Sequence, residues 1–296
     1  MSVLSSKMPM REYLALPAVG SSTVHTLLTK SPYHAWHQSY LNPQRKREDS
    51  EQADNGTIAH ALLLENSEDG LAIIDADDWR TKAAKEKRDE AWAAGKTPIL
   101  ERKLPPIREM VKVAKEYVAH SEIAGIFENG SAEVVGQWNE GKMACRLRAD
   151  WLTTDRLTIL DYKSTATNAE PNAWVRQLMS MGYGTQAAWY CRGMTKIEGK
   201  TPRFVFLAQE NEPPYACSLT SPAPSLMALE SDRVKEAIAI WNECLETGKW
   251  LSYPSSICYA EAPGWALAAW EERQAENVDT GLIKGTGVFV ESEIAP

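Results

Sequence analysis

The chain has 296 residues, of which 44% are apolar and 24% are charged, and its formal net charge is −8. A chain of this size can bury a full hydrophobic core, and we expect one large domain rather than two. It contains no apolar stretch of the roughly 20 residues that a membrane span needs and no apolar signal-peptide segment at its start, so we expect a cytoplasmic protein. Five widely spaced cysteines argue against a disulfide framework and against a zinc knuckle.

The predicted elements begin with helices, continue with short strands and end with helices. In chain order, the helical stretches of the first half are 1–50 (several short helices), 56–66 (which carries His60) and 76–126 (interrupted near Gly95 and at Pro105–Pro106). The second half predicts a three-stranded antiparallel meander over 132–163, a helix over 172–192, strands over 204–208 and 215–219, a helix over 224–248 and a short helix around Trp265 and Trp270.

Five charged side chains lie on the predicted meander, and these are Glu133, Arg148, Asp150, Asp161 and Lys163. Four-residue turns at 139–142 and 153–156 would set Glu133 opposite Arg148. The same turns would set Asp150 opposite Ile159, and Arg148 opposite Asp161. Because side chains alternate along a strand, the five side chains would then share one face of the sheet. A slip of one residue in either turn would scatter them.

The carboxylates on this face favour a metal site. Glu133, Asp150 and Asp161 would repel one another unless a cation neutralised them. Their hard oxygen atoms favour Mg²⁺ or Mn²⁺ over zinc, and two such ions about 4 Å apart could support hydrolysis at phosphorus. Lys163 would face the same centre. The alternative is an ordinary salt bridge between Asp161 and Lys163 at a strand end, because Asp-x-Lys is a common tripeptide.

The order of these motifs resembles the core of the PD-(D/E)xK nucleases, and the resemblance covers roughly residues 20 to 250. The core motifs are Glu133, Arg146-Leu147-Arg148-Ala149-Asp150 and Asp161-Tyr162-Lys163-Ser164-Thr165. Residues 55–65, NGTIAHALLLE, resemble the Gly-Thr/Ser-x-x-His-x-Leu-Leu-Leu-Glu segment of the RecE (exonuclease VIII) branch. Three further parts of the chain resemble segments of the same branch. They are residues 81–86 and 95–97, which resemble its basic segment, Gln186 to Tyr190, which resemble its Gln-x-x-x-Tyr motif, and 201–207, which resemble its next core strand.

This resemblance implies an α/β fold with a restriction-endonuclease-like PD-(D/E)xK core, in which helices flank a mixed central sheet. The metal ligands that it implies are His60, Glu133, Asp150 and Asp161. The catalytic residues that it implies are Glu133, Asp150, Asp161, Lys163, Gln186 and Tyr190. We therefore divide the chain into an N-terminal helical segment packed on the core (1–50), a nuclease core with a helical insertion at 76–126 (51–250) and a C-terminal extension (251–296).

The RecE resemblance also implies an activity. It is that of a Mg²⁺-dependent exonuclease, with Mn²⁺ as a substitute, that processively degrades the 5′ strand of a duplex DNA end in the 5′→3′ direction. The remaining 3′ single strand would serve a RecT-like annealing protein in phage or prophage recombination within the bacterial host, and the enzyme would form a ring-shaped homo-oligomer. Some relatives carry a four-cysteine iron–sulfur cluster, but this chain lacks the required cysteines near either end, so we expect no iron–sulfur cluster.

The net charge of −8 requires that positive charge be segregated if the protein is to hold DNA. The candidate DNA-binding residues are Arg80, Lys82, Lys85 and Arg88 on a helix-like segment, together with Arg146 and Arg148. The alternative for the segment is a solvated helix whose charge is balanced by Glu86, Asp89 and Glu90.

Two other functions remain open at this point. The catalytic residues fix the chemistry and not the strand polarity, so an endonuclease or a single-strand exonuclease could use the same core. A catalytically idle DNA-binding or assembly protein could also keep the fold. The complete catalytic set argues against an idle protein, because a binding module gains nothing from clustered carboxylates beside phosphates.

Overall fold

The computed structural model describes residues 3–5, 8–45, 55–65 and 67–279. The strands in chain order are β1 (Val3–Ser5), β2 (Leu71–Ile74), β3 (Thr97–Leu100), β4 (Gly130–Glu140), β5 (Met143–Thr153), β6 (Thr158–Thr165), β7 (Arg203–Glu210) and β8 (Cys217–Thr220). Six of them form one sheet in the order β1-β4-β5-β6-β7-β8, while β2 and β3 pair separately. Neighbours in the large sheet are antiparallel except for the parallel pair β6–β7, so the sheet is mixed.

Helices account for most of the remaining described structure. They are α1 (Met10–Ala15), α2 (Ser21–Thr29), α3 (Pro32–Gln38), α4 (Asn55–Glu65), α5 (Lys82–Ala93), α6 (Leu104–Ala119), α7 (Pro171–Ser180), α8 (Tyr183–Glu198), α9 (Pro224–Thr247) and α10 (Gly264–Asp279). None of these helices is both long enough and apolar enough to cross a lipid bilayer. Contacts within the chain define two units, Met1–Ser252 with both sheets and α1 to α9, and Tyr253–Pro296 with α10.

Two clusters of buried side chains cover the two faces of the large sheet. The adjacent residues Ile159 and Leu160 on β6 belong to different clusters, which follows from the alternation of side chains along a strand. The first cluster, here called the α8 core, includes Trp189 of α8 and Trp241 of α9. The second, here called the α4 core, includes side chains of α4 and α6 such as Ile107. Burial of these apolar surfaces holds the helices against the sheet.

The register of the meander differs from the predicted register by two residues on both sides of β5. Val135 rather than Glu133 pairs with Arg148, because the β4–β5 loop consists of two residues instead of four. Leu152 rather than Asp150 pairs with Ile159, because the next turn lies one residue later than predicted. The predicted opposition of these residues was therefore wrong, but a shift of two residues leaves the alternation of side chains unchanged.

At Glu133 and Asp150, the side chains of β4 and β5 stop alternating regularly between the two faces of the sheet. Ala132 pairs with Trp151, and both contact the α4 core, whereas Val134 pairs with Ala149, and both belong to the α8 core. Residues two apart on a regular strand would share a face. The change coincides with Glu133, whose φ of +58° lies in the left-handed region. The prediction that all five charged side chains share one flat face was therefore wrong.

Strands β5 and β6 also separate at this point. Their ladder consists of Trp151↔Leu160 and Leu152↔Ile159 and does not continue to Asp150. Val19 takes part of the exposed edge of β5, where its N–H donates to the Ala144 carbonyl at 2.8 Å. The opening between the two strands is reachable from both helical layers, and it holds the candidate site.

Two helix predictions were wrong for identifiable reasons. The stretch 172–192 is not one helix, because the chain breaks between α7 and α8 at Gly182, which has φ of +72°. A Cβ on Gly182 would come within 2.2 Å of His25 Nδ1, so this glycine also allows α2 to approach. Pro105–Pro106 does not interrupt a helix but lies in the first turn of α6. Backbone N–H groups in that turn have no partner within the helix, so the missing N–H of proline costs no hydrogen bond there. Strands β1, β2 and β3 were not predicted.

Candidate active site

Three side chains from three different elements meet in the opening between β5 and β6. His60 of α4 lies 3.6 Å from Glu133 of β4 (Nδ1 to Oε1) and 3.0 Å from Asp150 of β5 (Nε2 to Oδ2). One ligand atom from each residue can be chosen so that all lie within 4.8 Å of one another. An imidazole and two carboxylates at this spacing fit a divalent cation. We call His60, Glu133 and Asp150 the acidic half of the site.

The local structure explains how these three residues converge. The apolar side chains of α4 anchor it in the α4 core and hold His60 with its ring 6.2 Å from that of Tyr162. Glu133 adopts a left-handed backbone conformation, which costs a residue with a Cβ about 1–2 kcal/mol. The backbone N–H of Tyr162 donates a hydrogen bond of 2.9 Å to Asp150 Oδ2 in place of a strand ladder bond. The backbone strain at Glu133 thus lies at the candidate site and not in the regular part of the sheet.

Burial and neighbouring charges shift the pKa of each member of the acidic half. Burial alone would lower the pKa of His60, but Asp150 and Glu133 outweigh it and raise that pKa to about 9. Burial raises the pKa of Glu133 despite the opposing charge of Arg148. Burial also opposes the charge of Asp150, but its contacts with His60 lower the pKa of Asp150 below its ordinary value. His60 is therefore protonated, and its positive charge lies between the Glu133 and Asp150 carboxylates, where a divalent ion would otherwise bind.

Asp161, Lys163 and Gln186 form a second group, which we call the lysine half of the site. Lys163 Nζ contacts Asp161 Oδ1, and Gln186 Nε2 donates to Asp161 Oδ2 at 2.7 Å. The salt bridge between Asp161 and Lys163 that was the alternative prediction is thus present, but its carboxylate is fully buried, unlike that of an ordinary surface ion pair. Asp161 lies outside the acidic half as defined by the 4.8 Å spacing, although it was predicted as a fourth ligand.

The two halves nevertheless interact through their charges. Burial and the charge of Asp150 raise the pKa of Asp161 to about 6, against the influence of Lys163. Burial opposes the charge of Lys163, but Asp161 and Asp150 outweigh it and raise the pKa of the ammonium group. Lys163 is therefore a cation held beside the carboxylates of both halves.

Two tyrosines of α8 differ in their relation to this site. Tyr190, predicted as catalytic, lies in the α8 core with its ring against Phe204. Burial raises the pKa of Tyr190 well above its ordinary value. Tyr183 was not predicted, and its ring centre lies 5.1 Å from Lys163 Nζ. The glycine that precedes Tyr183 is the sequence signal for this position, because it ends α7 and starts α8 beside Lys163.

Arg146 and Arg148 contact the N-terminal segment. Arg148 binds the Glu133 carboxylate through Nε, and it donates from Nη1 to the Met8 carbonyl at 2.8 Å. Arg146 is 7% exposed, and its Nη1 donates to the carbonyls of Leu14 (2.8 Å) and Leu16 (3.0 Å). DNA contact by these arginines remains a prediction. Arg148 thus orients the Glu133 carboxylate, and Arg146 holds the segment around Leu14 and Leu16 against β5.

The predicted basic segment forms α5 and the turn before it. Thr81 caps the helix by accepting a hydrogen bond of 3.2 Å from the N–H of Ala84. The four predicted DNA-binding residues there are Arg80 (3.6 Å from Asp78), Lys82 (3.7 Å from Glu86), Lys85 (exposed) and Arg88 (2.9 Å from Asp89, with its guanidinium 4.6 Å from the Trp92 ring centre). The balancing role predicted for Glu86 and Asp89 is thus present, while DNA contact by the segment remains a prediction.

Comparison with known proteins gives one family match. Residues 21–262 match the sequence profile of a family described as "PDDEXK-like domain of unknown function (DUF3799)". No curated protein sequence matches the chain significantly.

Among solved structures, the chain resembles a protein from Eubacterium rectale named "Putative exonuclease", with 12% identity and a TM-score of 0.50, over 83% of this chain and 93% of that chain. A second one, named SSO0001, is 12% identical with a TM-score of 0.28, over 64% of this chain and 88% of that chain. At such identities the first likeness bears on the fold alone. Together with the family match, it confirms the predicted α/β fold with a PD-(D/E)xK core.

Proposed function

Because the chain belongs to the family of PDDEXK-like domains described as DUF3799, we propose that it is a Mg²⁺-dependent deoxyribonuclease that hydrolyses phosphodiester bonds. The observation that carries this proposal is the meeting of the acidic half with a partly buried Lys163, paired with buried Asp161, at one opening in the sheet. A binding protein gains nothing from carboxylates clustered where DNA phosphates would lie, because like charges repel at close range.

The acidic half would hold the divalent ion. His60, Glu133 and Asp150 offer one nitrogen and carboxylate oxygens, a set that suits Mn²⁺ and Mg²⁺. When bound, such an ion supplies a polarised water and stabilises charge on the phosphate oxygens. His60 must give up its proton to become a ligand, so the ion would replace the positive charge that the imidazolium provides.

The lysine half would serve the reacting phosphate directly. Lys163 is charged, is held by Asp161 and lies under the ring of Tyr183, so its position is fixed before substrate arrives. Its ammonium group can hold the attacking water or offset charge that develops on the phosphate. Gln186 fixes the second oxygen of Asp161 and so keeps that carboxylate oriented towards Lys163.

The finer proposal is a 5′→3′ exonuclease that acts on the ends of linear duplex DNA and leaves 3′ single strands. It rests on the resemblance of residues 55–65 to the RecE branch, and it gains support from the place of His60 from that segment in the acidic half. A role in phage or prophage recombination, a RecT-like annealing partner, a ring-shaped homo-oligomer and a cytoplasmic location belong to the same proposal.

One digestion experiment tests this function. A linear duplex labelled separately at its 5′ and 3′ ends would be incubated with the protein and Mg²⁺, beside a closed circular duplex and a single strand. We expect ordered loss of the 5′ label, an intact circle and survival of the opposite strand. Cutting of the circle would identify an endonuclease, and preference for the single strand would identify a single-strand exonuclease. Absence of cleavage on all three, with DNA still bound, would identify a catalytically idle protein.

A further inference from the structure

A surface pocket lies on the far side of α4 from the active site. Its walls come from α4, from the turn before α5, from β3 and from the segment that leads into α6. The residues that line it are Ile58, Asp78, Trp79, Pro98, Ile99, Leu100, Arg102 and Lys103. Ile58 and His60 lie two residues apart on α4, which corresponds to about 3 Å along the helix axis and about 200° around it. The pocket is therefore about one helix diameter, about 10 Å, from the acidic half.

The pocket has an apolar floor and an aromatic wall. Ile58, Ile99 and Leu100 are buried beneath it, while the indole of Trp79 is partly exposed at its side. A flat ring that enters such a space can stack on the indole and cover apolar surface. Nucleobases have this shape, and stacking on an aromatic side chain tolerates any base because each base has a π face.

The rim of the pocket carries positive charge. Arg102 and Lys103 are exposed, and within the described residues neither is within ion-pair distance of a carboxylate. The acidic residue of the pocket, Asp78, is already held by its neighbour: the Arg80 N–H donates to it at 2.7 Å, and Arg80 Nε lies 3.6 Å away. Pro105 and Pro106 remove N–H donors from the start of α6, so an anion here would be held by side chains rather than by the helix end. The two cationic side chains can therefore bind one phosphate, while the aromatic wall beside them can stack on one base.

We propose that this pocket binds one unpaired nucleotide of a DNA strand next to the active site, with the base on Trp79 and a backbone phosphate on Arg102 and Lys103. The inference rests on the proposed nuclease function and deepens it, because it assigns a place to the single strand that end resection exposes. A double helix cannot offer this ligand, since its bases are stacked on one another and their faces are covered. The pocket would thus favour DNA whose end is already opened.

Binding measured without cleavage tests the pocket. The probe is a fluorescein-labelled single-stranded thymidine oligonucleotide, titrated with the full-length protein in EDTA and followed by fluorescence anisotropy. Trp79→Leu should weaken binding about tenfold, because the base loses its stacking partner, whereas Trp79→Phe should stay within about twofold of the wild type because the aromatic face remains. Arg102→Ala with Lys103→Ala should lower the slope of log affinity against log salt by about 0.7 for each phosphate that the protein no longer neutralises.

Matched controls separate the pocket from general charge effects. Lys200→Ala with Lys249→Ala removes two exposed lysines outside the pocket and should leave the affinity and the salt slope unchanged. Thermal melting confirms that each variant is folded. A 5-iodouracil base in the same oligonucleotide should photo-crosslink to the peptide that contains Trp79.

Equal affinity of Trp79→Leu and wild type, or crosslinks that avoid this peptide, would overturn the pocket proposal and leave the nuclease proposal untouched. A wild-type protein that binds through Trp79 but cleaves no DNA in Mg²⁺ would contradict the nuclease proposal alone.

Discussion

The acidic half and the lysine half of the candidate site balance their charges in different ways. Asp161 and Lys163 lie two residues apart on one strand and neutralise each other, with Gln186 holding the remaining carboxylate oxygen. In the acidic half, by contrast, Glu133 and Asp150 come from separate strands and share a proton-bearing His60 from a helix. In the lysine half the charges of Asp161 and Lys163 are already paired. In the acidic half the proton on His60 supplies the positive charge that a divalent ion would supply when bound.

This difference suggests a division of labour. The acidic half should respond strongly to divalent ions, because an ion would replace a proton between carboxylates that repel each other. The lysine half should respond little, because its charges are already paired. Substitutions in the two halves should therefore all impair cleavage but should differ in their effect on metal binding.

The largest effect is expected for the central aspartates. Asp150→Ala or Asp161→Ala should abolish cleavage, to below about one thousandth of the wild-type rate, because each removes a carboxylate from the reacting centre. The measurement is the initial rate of duplex digestion in Mg²⁺. Asp150→Asn and Asp161→Asn keep the side-chain shape and serve as controls for folding, which circular dichroism checks. A rate near that of the wild type for either alanine variant would show that the site is not the one described.

Lys163 should have the next largest effect. Lys163→Met, which keeps an unbranched side chain without the charge, should lower the rate about 10²- to 10³-fold with little change in duplex affinity, because its charge acts on the transition state. Lys163→Ala should behave similarly, with a greater loss of stability since buried Asp161 loses its partner. The measurements are single-turnover rates and anisotropy titrations in EDTA. A fall in affinity as large as the fall in rate would make Lys163 a binding residue.

Metal binding should distinguish the two halves most sharply. Mn²⁺ should stabilise the wild type against thermal unfolding, by about 2.7 kcal/mol at a concentration one hundred times its Kd. His60→Ala and Glu133→Gln should remove most of this stabilisation, while Lys163→Met should retain it. Arg148→Ala should weaken Mn²⁺ binding about tenfold, because the Arg148 guanidinium no longer orients the Glu133 carboxylate. The same Mn²⁺-dependent shift in all four variants would contradict the division into two halves.

The smallest effect is expected outside both halves, on α5. Changing Lys82, Lys85 and Arg88 to Ala should weaken DNA binding and flatten its salt dependence by a slope of up to about 3, because each phosphate contact releases condensed counterions. Mn²⁺ binding should be unaffected and is the control. An unchanged salt slope would instead indicate a solvated helix, in which Glu86 and Asp89 balance Lys82 and Arg88.

The meander shows how far local patterns can predict this site. The strands were predicted correctly because polar turns separate short runs of β-forming residues. The register was wrong by two residues, since turn length depends on the fit of the whole hairpin, here a loop of two residues with Gly141 at φ of +64°. A shift of two residues leaves side-chain parity unchanged, so the predicted single face failed for a different reason, the change of face at Glu133 and Asp150.

The helices show where local patterns fail. The break at Gly182 was missed, although Gly182 has φ of +72° there and a Cβ on it would come within 2.2 Å of His25 Nδ1 on a distant helix. Strands β2 and β3 pair with each other across the intervening α5, so no local sequence window contains the pair.

The amino-acid sequence alone specifies which acidic, basic and imidazole groups are present, which strands carry them, and that their order is that of a PD-(D/E)xK core. Their grouping depends on the folded chain. It turns β4 and β5 over at Glu133 and separates β5 from β6, so that His60 enters from one helical layer and Gln186 from the other. The physical reason is that these contacts depend on the packing of two cores on opposite faces of the sheet, which no single segment of the chain encodes.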